Sequence, residues 1–179
     1  MPTYPSARGQ KPEEINSRPG GRNTIVTLYI LGPGGGVQTS WGPDYEHAGL
    51  TIPQALIATL DMGRQPLLWT YAVPDANYTE LKFGFDEHIE GHGKIGHVAL
   101  TPEATISGEI FRNGAAWKIN NDSGAWGNMG GHGGKSQLLL HVAQFMTTNC
   151  GMVVTAEYAY SRNAVKRWFQ KKWGIRRRR

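Results

Sequence analysis

A single cysteine, Cys150, stands in a chain of 179 residues. An internal disulfide is therefore excluded, and the fold owes nothing to oxidation. No apolar stretch approaches the ~18 consecutive residues of a membrane span, so no membrane partner is expected. The opening MPTYPSARGQKPEEINSRPGG lacks the apolar core of a secretory signal. If the protein is exported, another route or a larger parent polypeptide carries it. Neither HExxH nor CxxC occurs in the chain, so no motif supports a zinc site and no metal is expected. His88 and His92 stand at i, i+4, but Gly91 and Gly93 argue against the helix that would put them on one face. The run Gly32-Pro33-Gly34-Gly35-Gly36 matches no phosphate-binding pattern and reads as a turn that needs positive φ.

What is abundant is charge of one sign at one end. Residues 161–179, SRNAVKRWFQKKWGIRRRR, hold nine Lys and Arg and no acid, although the whole chain carries only +5. The other 160 residues therefore hold ten bases against fourteen acids, a net of −4. Such a tail suits a polyanion, because each cation that neutralises a phosphate releases condensed counterions. Lys171, Lys172, Arg176, Arg177, Arg178 and Arg179 are the candidate nucleic-acid contacts. Trp168, Phe169 and Trp173 can stack on unpaired bases. With Val165 they also fall near i, i+3, i+4 and i+8, the buried stripe of an ordinary terminal helix, and the periodicity favours that reading.

Length suits one compact domain with a proper core. The first 22 residues, rich in Pro, Gly, Ser and charge, read as a flexible lead-in, and residues 23–179 as a single catalytic domain ending in the basic helix. Strand signals cover 24–31, 67–73, 78–85, 95–100 and 152–158, separated by turn residues. Thr51 as N-cap, Pro53 in the first turn and Gly63 as terminator bound a helix over 52–62. Apolar spacing predicts a second helix over 135–148, entered from a glycine loop at 127–134. His141 lies within that helix and reads as a hydrogen-bonded core or flank residue. The plan is α+β, with a mostly antiparallel sheet as core and a few flanking helices.

Chemistry concentrates in Gly96 to Gly124. Thr105 to Phe111 has strand-forming residues, Asn113-Gly114 is a two-residue hairpin signal, and Ala116 to Ile119 returns. On the outgoing strand Ser107, Glu109 and Phe111 share one face, and Ile106, Gly108 and Ile110 the other. Strands can bring His97, Glu109, Asn121 and Ser123 into one cleft. An imidazole can move a proton or orient a hydroxyl, and a carboxylate can stabilise a developing cation or act as a base. The turn Asn120-Asn121-Asp122-Ser123-Gly124 equally suits backbone capping, with Glu109 a surface residue of the hairpin. The residues by themselves leave both readings open.

The succession Leu81-Lys82-Phe83-Gly84-Phe85, Gly96-His97-Val98-Ala99-Leu100, Ile106-Ser107-Gly108-Glu109-Ile110, Asn113-Gly114, Ile119-Asn120-Asn121 and Ser123-Gly124 resembles a C-terminal toxin domain of bacterial polymorphic toxins of the Rhs or contact-dependent type. A similar succession occurs in plant IQ-motif proteins. The resemblance spans roughly residues 67–150 and rests on the order of the pieces. This chain has Val98-Ala99 and Ala125-Trp126 where that pattern has serines and a His-Tyr pair, so roles at those positions do not carry over.

The resemblance implies an exported antibacterial toxin active in the target-cell cytoplasm, a cognate immunity protein in the producer, and an ADP-ribosyltransferase that uses NAD as substrate. Glu109 would be the catalytic carboxylate and His97 would hold a ribose hydroxyl. Asn121 and Ser123 would position nicotinamide or phosphate, and Tyr29 or Trp126 would stack on it. The basic tail suggests RNA as acceptor. The alternatives are a metal-independent ribonuclease working through His97 and a second histidine such as His132, and a noncatalytic nucleic-acid-binding module.

Overall fold

A computed structural model describes residues 7–8, 23–43, 45–75, 78–89, 93–97, 100–101, 103–123 and 131–158. Its centre is a seven-stranded sheet. The strands are β2 (Thr24–Leu31), β3 (Val37–Trp41), β4 (Leu67–Asp75), β5 (Tyr78–Phe85), β9 (Ile106–Asn113), β10 (Ala116–Ile119) and β11 (Val154–Ala156), in the order β11-β10-β9-β4-β5-β2-β3. Two small pairs lie outside it: β1 (Ala7–Arg8) with β8 (Glu103–Ala104), and β6 (Glu87–Ile89) with β7 (Gly93–Ile95). Every pairing in the large sheet is antiparallel except β10 with β11. With helices α1 (Ile52–Asp61) and α2 (Gly131–Asn149), the fold is α+β, as expected.

α1 starts where the sequence says it should. Gln54 N donates to Thr51 Oγ1 at 3.4 Å while Thr51 N donates to Gln54 Oε1 at 2.9 Å, a reciprocal cap that satisfies two otherwise orphaned donors. The helix buries Ile52, Ala55 and Leu56 and stops before Gly63, whose φ of +74° a residue with a Cβ rarely adopts.

The strand registers sort the sheet into two faces. Leu67, Trp69, Tyr71, Leu81, Phe83, Phe85, Ile106 and Ile110 lie on the apolar face, in one core with Leu56 of α1 and Leu139, Val142 and Met146 of α2. Burying that many large side chains is the main stabilising term, at about 1.5–3 kcal/mol for each one fully removed from water. The other face is polar. Ser107, Thr70, Lys82 and Thr27 form one row across it, and Glu109, Leu68 and Gly84 form the next.

Several boundaries differ from the sequence reading. The expected strand over 95–100 ends at Ile95. His97 begins a tight turn in which Leu100 N donates to His97 O at 3.0 Å, because Leu100 drops onto the sheet at Gly84. A Cβ on Gly84 would lie 2.3 Å from Leu100 Cδ2. The polar stretch after Phe85 carries the β6 and β7 strands. α2 starts at Gly131, inside the stretch read as a glycine loop. Glycine costs only about 1 kcal/mol per helical position relative to alanine, which a helix packed from Leu138 to Met146 tolerates. The strand expected over 152–158 is limited to Val154–Ala156. Within the expected lead-in, Ala7 pairs with Ala104 and Arg8 with Glu103. The basic tail, with Lys171, Lys172 and Arg176 to Arg179, lies outside the described residues, as do Trp126 and the side chain of His132.

Candidate functional site around Glu109

The hairpin of β9 and β10 presents Glu109 on the polar face, with Ile106 and Ile110 on the other, as the alternation predicts. Asn113 pairs with Ala116, so the two-residue loop is Gly114-Ala115, one position later than expected. Gly114 has φ +62°, and among the described residues no non-glycine residue has positive φ. That pattern suits a II′ turn, which wants glycine first, and excludes I′, which needs positive φ at both positions.

At the other end of the hairpin the ladder is completed by a side chain. Asn120 N donates to Glu109 O at 3.0 Å, but Glu109 N donates to Asn120 Oδ1 at 2.9 Å instead of to the Asn120 carbonyl. The same Oδ1 accepts from Asp122 N at 2.9 Å, and Asn120 Nδ2 donates to Glu109 Oε2 at 3.3 Å. The displaced Asn120 carbonyl crowds Gly108, where an added Cβ would lie 1.8 Å from it. A Cβ does not fit there.

Other polar groups line the same stretch of β9, from Ser107 to Glu109. His97, 9% exposed, has Nε2 at 2.8 Å from Gly108 O. A carbonyl can only accept, so Nε2 carries the proton in this contact. Ser107 Oγ donates to Ser123 Oγ at 2.7 Å in a buried contact. From the apolar side, Trp69 Nε1 donates to Glu109 O at 3.0 Å. Glu109 itself is half-buried, whereas His97, Ser107, Asn120, Asn121 and Ser123 are buried. The arrangement is a partly accessible carboxylate on a fixed polar bed. It can accept a proton or stabilise a cation without first reorganising its neighbours.

The structure thus gathers His97, Glu109, Asn121 and Ser123 at one end of the hairpin. His97 bonds through Nε2 to the backbone beside Glu109, and Asn121 and Ser123, at 1% and 5% exposure, are packed within the turn. Tyr29 is separated from the site. It lies on the same face, but Glu109 is level with Thr24 across β4 and β5. Three strand spacings and five residues along β2 put Tyr29 roughly 20 Å away, too far to stack on a nicotinamide whose ribose lies at Glu109. Tyr29 belongs to a different cluster, tilted against Tyr78 at 6.4 Å and level with Glu80, which pairs with Lys82 at 2.9 Å. Burial first, and then Glu80, raise its hydroxyl pKa.

Asn120 and Ser107 carry the support, and the sequence reading gave neither a catalytic role. The available signal was parity. Ser107 shares the Glu109 face, and Asn120 follows directly on β10. His141 accepts or donates at Nε2 to Tyr71 Oη, 3.2 Å away, and stacks edge-on to that ring, as expected of a core-flank histidine. Among the described residues, no group of three or more His, Cys, Asp or Glu could hold a metal ion, and no helix is long and apolar enough to cross a membrane.

No family model, curated protein or solved structure matches this chain.

Proposed function

We propose that this domain is an ADP-ribosyltransferase that moves ADP-ribose from NAD to a macromolecular acceptor, with Glu109 as the catalytic carboxylate. The observation that carries the reading is the half-buried Glu109 carboxylate, bonded by Asn120 Nδ2, on a strand whose backbone is held from three sides by Asn120, His97 and Trp69. In this reaction the bond between ribose C1′ and the nicotinamide nitrogen breaks and its electron pair leaves with nicotinamide. Glu109 stabilises the positive charge that builds on the ribose. The acceptor's nucleophile then bonds to C1′, and its proton passes to the carboxylate and on to water. His97 and Asn120 act as positioning residues.

The resemblance to polymorphic toxin tips supports an antibacterial setting, with export by a specialised secretion system, action in the target-cell cytoplasm and a cognate immunity protein in the producer. The nine cations of residues 161–179 support RNA as the acceptor class. Incubating the purified domain with NAD and bulk RNA tests the reading. Nicotinamide release with mass gain on RNA or protein is the expected result. Shortened RNA without NAD would replace it with the ribonuclease reading, and retention of RNA with neither change would leave a binding module.

A further inference from the structure

β3 forms one edge of the large sheet, and among the described residues it pairs only with β2. The ladder between them is bracketed by two closing bonds, Leu31 N to Gly36 O at 3.0 Å and Gly42 N to Ile25 O at 2.8 Å. Bonded and non-bonded pairs alternate along an antiparallel ladder, so Gln38 opposite Tyr29 and Ser40 opposite Thr27 turn their backbone groups inward. Val37, Thr39 and Trp41 therefore turn their N–H and C=O outward. The strand VQTSW has no charged residue and no Pro, the features by which edge strands commonly block further pairing. Val37 is 51% exposed.

We propose that β3 is a self-association edge, where a second copy of this chain pairs antiparallel about a two-fold axis at Thr39. That register sets Thr39 opposite its own copy, Val37 opposite Trp41 and Gln38 opposite Ser40. The outward groups of Val37, Thr39 and Trp41 then close six backbone hydrogen bonds. The facing pairs are a Thr–Thr pair, aromatic with β-branched, and amide with hydroxyl, all kinds that stabilise sheets. No like charges meet, because the strand has none. A two-fold axis makes the contact closed, so it yields dimers and not fibres. Five residues per copy bury less than the about 1,200–2,000 Å² of a stable interface, so the dimer is reversible and depends on concentration. The edge is separated from β9 by β2, β5 and β4, so the proposal stands apart from the chemistry at Glu109.

Sedimentation of the full chain from about 10 μM to about 1 mM, a range set by the weak affinity of so small a contact, should show the mass rising from monomer toward dimer. Thr39→Pro removes an outward N–H that β2 does not use, so the variant should keep its melting temperature and dimerise at least about tenfold more weakly. The Thr39→Cys variant should form a covalent dimer on mild oxidation, since Cα atoms of a bonded antiparallel pair lie about 5.5 Å apart, within disulfide reach. The native Cys150 is buried, with its thiol pKa pushed up to about 12, so it does not compete. A mass that stays monomeric throughout, a dimer unaffected by Thr39→Pro, or no covalent dimer from Thr39→Cys would each overturn the proposal.

Discussion

Asn120 holds Glu109 at both ends, accepting from its backbone N–H through Oδ1 and donating to its carboxylate through Nδ2. Asn120→Ala should leave the N–H groups of Glu109 and Asp122 without that acceptor and lower unfolding free energy by about 1–3 kcal/mol, measured by urea denaturation. Asn120→Asp keeps the acceptor but replaces the amide donor with a second carboxylate beside Glu109. Its stability loss should be smaller than that of Asn120→Ala, while nicotinamide release falls as far or further. Equal and small effects of both changes on activity would remove Asn120 from its positioning role.

Gly108 and Gly96 should respond very differently to alanine. A Cβ on Gly108 meets Asn120 O at 1.8 Å and the Asn121 Cα at 2.9 Å, while a Cβ on Gly96 has, among the described residues and apart from its chain neighbours, nothing within 4 Å. Because the obstacle at Gly108 is backbone, Gly108→Ala should cost more than about 3 kcal/mol or prevent folding. Gly96→Ala should change stability by no more than about 0.5 kcal/mol. Thermal denaturation of the two variants checks the pair.

Burial raises the Cys150 thiol from 9.0 to about 12. The folded protein therefore holds this proton at pH values where the unfolded chain has lost it. The stabilisation is fully present below pH 9 and is lost as pH rises toward 12, at up to ~1.4 kcal/mol per pH unit. Tyr71, also raised by burial, contributes with the same sign. Urea midpoints of the wild type and Cys150→Ala, compared from pH 8 to pH 10.5, isolate the thiol, since Tyr71 is common to both. The wild type should lose its advantage over the variant as pH rises. Parallel curves would contradict the assignment.

Much of this frame is readable in the residues. The Thr51 cap and Gly63 stop are local chemistry, and α1 follows within one residue. Parity along 106–111 put Glu109 on the face opposite Ile106 and Ile110 because a period of two needs no tertiary knowledge. What the chain conceals is register and cover. Tyr29 lies on the Glu109 face but five residues out of level, which nothing in 24–31 announces. The β3 strand, VQTSW, alternates too weakly to stand out after a glycine turn. Asn120 replaces a backbone carbonyl with its own side chain, and its sequence context, Asn-Asn-Asp-Ser-Gly, is that of any polar turn. His97 belongs to a turn because Leu100 settles on Gly84, a long-range contact that the apolar run 95–100 does not reveal.

In the proposed transfer the Glu109 carboxylate stabilises the ribosyl cation, so its charge is indispensable. Glu109→Gln removes the charge with almost no change of shape and keeps an oxygen to accept from Asn120 Nδ2. The most direct measurement is nicotinamide release from NAD by the wild type and by Glu109→Gln, each shown folded by circular dichroism. The wild type should release nicotinamide, and the variant should do so at least about 10²–10³-fold more slowly. Full activity in a folded Glu109→Gln, or no release by the wild type with RNA and protein acceptors present, would contradict it.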